Sequence, residues 1–160
     1  MASVYIETSI ISYLAARPSR DLIAHANQLE AMKWWEQRHR FELLVSTLVK
    51  FEAGKGDAHA AARRLAYCTG LRTLEVDDRT ISLATDVMRR TRLPAHAEAD
   101  AMHIALAAAG HADFLLTLNL KHIAAAAHFR VIELACQDHD LKSPVICTPP
   151  QLMERPDAGR

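Results

Sequence analysis

A chain of 160 residues, half of them apolar and about a quarter charged, is long enough to bury one sizeable core. Its formal net charge of zero gives no global electrostatic reason to bind nucleic acid, so any such contact must rest on a local patch. Three cysteines, Cys68, Cys136 and Cys147, are odd in number and widely spaced and form no CxxC pair, which speaks against a disulfide framework and structural zinc and points to buried thiols in a reducing compartment. No apolar run approaches the ~20 residues of a membrane span, and the N-terminus carries neither a basic segment nor a cleavable apolar one. A cytoplasmic protein that does not enter the membrane is expected.

The elements follow in order. Ser3 to Ile6 is short, β-branched and continuously apolar, which suits a first strand buried on both faces. Glu7-Thr8-Ser9 comes directly after it, with Thr8 or Ser9 placed to cap a short helix ending before Pro18. Asp21 to Arg40 reads as a long helix. Its adjacent Trp34 and Trp35 cannot share one face, so one belongs at a boundary or against a partner. Phe41 to Ser46 is the second strand, followed by a helix that carries Glu52 and stops at Gly54. Asp57 opens another helix, Leu71 to Val76 is a third strand, and Asp78 to Arg90 is a helix with apolar residues at three- and four-residue spacing. A loop from Thr91 to Ala97 leads to a helix that opens on Glu98 and Asp100 and stops at Gly110. Phe114 to Leu118 is a buried strand, with Asn119 just past it. Lys121, His122, Ile123 and four alanines predict a short helix, Phe129 to Leu134 a strand, Pro144 to Thr148 a last strand, and Pro149 to Met153 a terminal turn. The domain spans 1–153, and the tail from Glu154, poor in apolar residues, is expected to be mobile.

Strands separated by helices imply an α/β domain, with a mostly parallel central sheet flanked by helices on both faces. Right-handed crossovers put the strand carboxyl ends on one rim, where open α/β sheets bind ligands. Glu7, Glu52, Asp100 and Asn119 converge there. Carboxylates gathered in one cleft repel unless a cation or protons compensate. Oxygen ligands with open positions suit Mg²⁺ or Mn²⁺, which activate water and neutralise a phosphodiester under attack. Carboxylates at strand ends are also common as solvated turn residues, and spacing alone does not separate the two readings.

The segments VYIETSIISYL, LLVSTLVKFEAGKGD, DAMHIALAAAGHADFLLTLNLKHI and SPVICTPPQLM, in this order over nearly the whole chain, resemble the PIN-domain family, which includes VapC-like ribonuclease toxins of type II toxin–antitoxin pairs. The ending fits a subgroup that usually carries a TWN-x-KH turn. The resemblance implies a parallel sheet flanked by helices and metal-dependent endonucleolytic cleavage of RNA. It implies Glu7, Glu52 and Asp100 as metal ligands, with Asn119 where many members carry a fourth acid. Glu7 stands where the family commonly has Asp, and the extra methylene moves the carboxylate by about 1.5 Å. A PIN scaffold that binds RNA or a protein and cleaves weakly is therefore the alternative, and a phosphatase or DNA nuclease on the same rim a third reading.

Thr8, Lys121 and His122 are placed to contact substrate phosphates, although a cap and a solvated helix start explain them too. Glu98 suits the first-turn dipole. His103, one turn from Asp100, is expected to be packed and bonded within the fold, and Asp113 to be a turn or cap residue at the opposite end of its strand. Asp57 caps its helix. Arg17, Arg20, Lys50, Lys55, Arg89, Arg90, Arg92 and Lys121 are candidates for a basic collar around the acidic rim. The zero net charge predicts weak nonspecific RNA binding, which a small antitoxin-like partner supplying specificity, or a homodimer presenting two rims, would reconcile.

Overall fold

The computed structural model describes residues 1–155. The apolar run Ser3–Ile6 forms β1 and is buried at all four residues, as a central strand with a helical layer on each face requires. It pairs in parallel with β2 (Glu42–Ser46) on one side and β4 (Phe114–Leu116) on the other. With β3 (Arg72–Leu74) and β5 (Val145–Cys147) the parallel sheet has the order β3-β2-β1-β4-β5. Chain order therefore reverses between β1 and β4, and the crevice at their carboxyl ends is the topological switch point.

The helices are α1 (Thr8–Ala15), α2 (Leu22–Glu36), α3 (Thr47–Ala53), α4 (Ala58–Ala66), α5 (Asp78–Thr91), α6 (Glu98–Ala109), α7 (Phe129–Asp138) and α8 (Pro149–Met153). Side chains of the first-turn type cap several of them: Asp21 for α2, Ser46 for α3, Asp57 for α4 and Asp77 for α5 each accept a free backbone N–H. α6 is covered almost all round, with Ala101, His103, Ile104, Ala105, Leu106, Ala107 and Ala108 buried, so its alanines serve close packing on several faces. A Cβ at Gly110 would meet the Leu74 side chain, which is why the helix stops there on glycine. The three cysteines are free and buried. Burial pushes the Cys147 thiol up to about 12, the mark of packing rather than of a reactive thiol. No helix among the described residues is long and apolar enough to cross a membrane.

Several expected elements change. Phe129 to Leu134, read as a strand, belongs to α7. Ile132, Ala135 and Cys136 are its buried residues, so the period is helical, and the six-residue window was too short to reveal it. The helix expected over Lys121 and the alanines is a set of turns, with a 3-10 turn at Ala126–His128. Asn119 draws the chain back instead: its carbonyl accepts from Ala124 N at 2.9 Å and its side-chain Oδ1 from His122 N at 3.2 Å. Pro149–Met153 is a helical turn closed by a Thr148–Gln151 capping box. β3 and β4 are shorter than the runs that predicted them, and the long second helix ends at Glu36 before a 3-10 turn at Arg38–Arg40. Trp34 is fully buried, whereas Trp35 lies at the boundary, edge-on to Tyr67 at 5.2 Å and under Arg38 at 4.5 Å. Most of the predicted C-terminal tail lies outside the described residues.

A candidate active site on the carboxyl rim

The site begins where β1 and β4 end. Their register pairs Ile6 with Leu116, so Glu7 and Thr117 leave the sheet side by side, and Glu7 N donates to Leu116 O at 3.0 Å. Glu7 is extended (φ −78°, ψ 156°) and is itself the N-cap of α1, a correction to the expectation that Thr8 or Ser9 would cap. Its Oε2 accepts from Ser9 N at 3.1 Å, from Thr117 Oγ1 at 2.8 Å and from Ser9 Oγ. Oε1 accepts no hydrogen bond from the described residues. Glu7 is only 4 % exposed, so it is no solvated turn carboxylate.

Glu52 arrives from the last turn of α3. Its Oε1 accepts from Thr8 Oγ1 and lies against His103 Nε2, both at 2.6 Å, while Oε2 is unbonded within the described residues. Burial opposes its charge, but the hydrogen bonds from His103 and Thr8, aided by Lys55, hold its carboxyl below the usual carboxylate range. Asp100, in the first turn of α6, has both oxygens engaged: Asn119 Nδ2 donates to Oδ1 at 3.0 Å, and His122 Nδ1 lies 2.7 Å from Oδ2. The His96 ring lies beside His122, centroids 5.3 Å apart.

The predicted residues thus fall into two linked groups. Glu7 and Glu52 flank His103 Nε2, at 3.9 and 2.6 Å. Asp100, Asn119 and His122 form the second group, joined to the first through Thr117, whose Oγ1 accepts from Asn119 N at 2.9 Å. Thr8 and His122, expected to face phosphates, are bonded to the acids. Lys121 is exposed beside them. Of the expected collar, Lys55 stacks over the Phe51 ring at 4.5 Å, and Arg89 and Arg90 are drawn to Asp86. Asp113 is the structural residue expected: it accepts from Ser3 N at 2.9 Å at the far end of the sheet, and that bond leads the lowering of its carboxyl pKa.

His103 is packed as expected, yet its partner is Glu52, which makes it part of the site. That contact, like that of Thr117 to Glu7, joins residues of different elements and carried no local signal. Among the described residues no Lys or Arg forms an ion pair with Glu7, Glu52 or Asp100.

A family model described as the PIN domain matches residues 4–128. The chain belongs to the PIN-domain family. Among solved structures the fold is similar to VapBC2 from Rickettsia felis bound to a DNA fragment from its promoter, with a TM-score of 0.58 and 12 % identity over 91 % of this chain and 97 % of that one. It is similar also to VapC20 of Mycobacterium tuberculosis, a Sarcin-Ricin loop cleaving toxin, with a TM-score of 0.61 and 18 % identity over 78 % of this chain and 95 % of that one. At such identities the likeness is one of fold. No curated protein matches the chain. Within this PIN domain, the rim lies at the switch point between β1 and β4.

The residues can be tested against the divalent cation that the family implies. Glu7 and Glu52 each present one bare carboxylate oxygen, and hard cations that keep their waters are held by one or two carboxylates. Asp100 is turned to Asn119 and His122, and among the described residues no three His, Cys, Asp or Glu side chains close into one metal-binding group. The donor chemistry therefore fits Mg²⁺ or Mn²⁺ at Glu7 and Glu52, with Asp100 as a neighbouring acid.

Proposed function

We propose that this PIN domain is a Mg²⁺- or Mn²⁺-dependent endoribonuclease, the toxin of a type II toxin–antitoxin pair. The observation that carries the reading is that Glu7, just past β1, and Glu52 of α3 flank one imidazole at the switch point, with Asp100 of α6 in a linked group, and that none of the three forms an ion pair with Lys or Arg among the described residues. Glu7 and Glu52 would hold the cation through Oε1 and Oε2. A cation there supplies an activated water and charge neutralisation on the scissile phosphate. Ser9 and Thr117 fix Glu7 by bonding its other oxygen, and Thr8 fixes Glu52 in the same way. Asn119 and His122 hold Asp100 at the mouth of the site, where a carboxylate orients water or a further cation. Lys121, exposed next to His122 in the chain, would contact the RNA backbone.

The TLNLKH turn supports the TWN-x-KH subgroup: Thr117 bonds Glu7, while Asn119 and His122 bond Asp100, so three of its polar positions each serve an acid. The VapBC2 and VapC20 folds lend the toxin assignment, the RNA substrate and a small protein partner their plausibility; cytoplasmic location and a homodimer complete the proposal. Incubation of purified protein with RNA and Mn²⁺ tests it. Cleavage that stops with chelator and in Asp100→Ala is the expected result, and undiminished cleavage by Asp100→Ala would displace the site.

Two features favour a second reading, a weakly cleaving binding module: Glu7 stands where the family commonly has the shorter Asp, and both Asp100 oxygens are engaged by Asn119 and His122. On that reading Glu7→Asp raises cleavage sharply. On the first it lowers or preserves it.

A further inference from the structure

His103 is 1 % exposed and clasped at both ring nitrogens. Nε2 lies 2.6 Å from Glu52 Oε1, and Nδ1 lies 2.8 Å from the Tyr5 hydroxyl. Behind it, Tyr5 Oη is 2.8 Å from Ser46 Oγ, which accepts Val49 N–H at 3.1 Å. Tyr5 and Ser46 are fully buried, so every proton in this row needs an acceptor within it.

The count has one solution. An ionised Glu52 only accepts, so Nε2 brings the hydrogen. Ser46 Oγ already receives Val49 N–H, and the acceptor available to its own hydroxyl proton is Tyr5 Oη. The Tyr5 proton is then left for Nδ1, which must be bare. Run the other way, a protonated Nδ1 donates to Tyr5, Tyr5 donates to Ser46, and a buried serine proton is stranded at the cost of an unmade hydrogen bond. Burial pushes the Tyr5 phenol above its ordinary range, so it stays a donor.

We propose that His103 is a positioning residue for Glu52: an imidazole, held from behind at Nδ1 by Tyr5 and Ser46, that donates from Nε2 to Glu52 Oε1 and leaves Oε2 to the ligand. The proposal rests on the cation-binding reading of the rim. The row is also closed structurally, because Ser46 caps the first turn of α3 and Glu52 sits in its last turn, so both ends of that helix are referenced to one imidazole. Nε2 lies 3.9 Å from Glu7 Oε1 as well, so the ring sets the spacing between the two carboxylates. Partners of this kind, bonded to a ligating carboxylate, are worth about 10- to 100-fold in metal affinity or activity.

The test is nitrogen-resolved NMR of the imidazoles in the metal-free, full-length protein, with Mn²⁺ affinity measured alongside. The wild type should show His103 in the single Nε2–H form. Tyr5→Phe, which keeps the packing, removes the hydroxyl that holds Nδ1 and should weaken Mn²⁺ about tenfold or more. His103→Gln, which retains a donor and an acceptor, should recover affinity that His103→Leu loses. If kcat is measured, it should fall with KM little changed. A wild-type His103 in the Nδ1–H form would overturn the proposal, as would a Tyr5→Phe protein with unchanged Mn²⁺ affinity. The tautomer is read without RNA, so a protein that cleaves no RNA would count against the nuclease reading alone.

Discussion

Asp86 and Asp138, where α5 meets α7, are surrounded by cations, whereas Glu7, Glu52 and Asp100 on the sheet rim are surrounded by hydroxyls, an amide and imidazoles. Asp86 pairs with Arg89 at 2.5 Å, Arg90 at 3.0 Å and His139 at 3.2 Å, and Arg90 reaches on to Asp138 at 2.5 Å. The Arg90 hydrogen bond, against an opposing burial effect and with help from Arg89 and His139, pulls the Asp86 carboxyl down to about 2. Both regions gather carboxylates on helices at the edge of the core. One is compensated by arginines within the chain and clasps two helices; the other is held by hydroxyls, an amide and imidazoles, with no Lys or Arg ion pair among the described residues. Acids held in place without an ion-pair partner are what a cation site requires.

The sharpest way to break this comparison is to neutralise one acid from each cluster. Asp100→Asn and Glu52→Gln should each lower kcat/KM for RNA by about 10³-fold, the equivalent of several kcal/mol of transition-state charge stabilisation. Asp86→Asn should leave kcat/KM unchanged while lowering the melting temperature. Equal losses of activity in both clusters would erase the distinction. Next in size, Thr8→Val removes one of the two donors to Glu52 Oε1 and should cost about tenfold in activity with the fold intact, which circular dichroism and single-turnover assays check together.

A cation that binds only the folded protein also stabilises it. At a Mn²⁺ concentration of about 100 times Kd the gain is roughly 2.7 kcal/mol, or about 5–10 °C for a domain of this size. The same Mn²⁺ should leave the melting temperature of a Glu7→Gln/Glu52→Gln protein unmoved. The smallest effect is the response of the other cluster to acid. Because the folded Asp86 carboxyl lies at about 2, below its ordinary value, its contribution is fully present above about pH 4 and is lost as pH falls toward 2. Asp86→Asn should therefore show a shallower loss of stability over that window, seen by thermal melts at successive pH values.

The contrast also explains what the sequence made legible. β1 and the acid after it follow from a continuous apolar run ending in Glu7, and Asp100 from a helix start, because both signals are local. α7 was misread since Phe129 to Leu134 spans less than two helical turns, too few to tell a period of 3.6 from one of 2. Capping by Glu7 rather than Thr8 or Ser9 was hidden because glutamate is a poor guide to an N-cap; here Thr117, 110 residues away, helps hold its carboxylate in place. His103 was rightly expected to be packed, but its partner Glu52 is 51 residues distant, and only the tertiary fold brings the two side chains together. The hydroxyls and imidazole that orient the acids are therefore a property of the tertiary fold, while the acids themselves are a property of the chain.

The most direct measurement is a calorimetric titration of Mn²⁺ into the metal-free protein and into its Glu7→Gln/Glu52→Gln and Asp86→Asn variants. The account predicts binding to the wild type and to Asp86→Asn, and its loss in the rim variant. Binding that survives in the rim variant, or that is absent from the wild type, would contradict it.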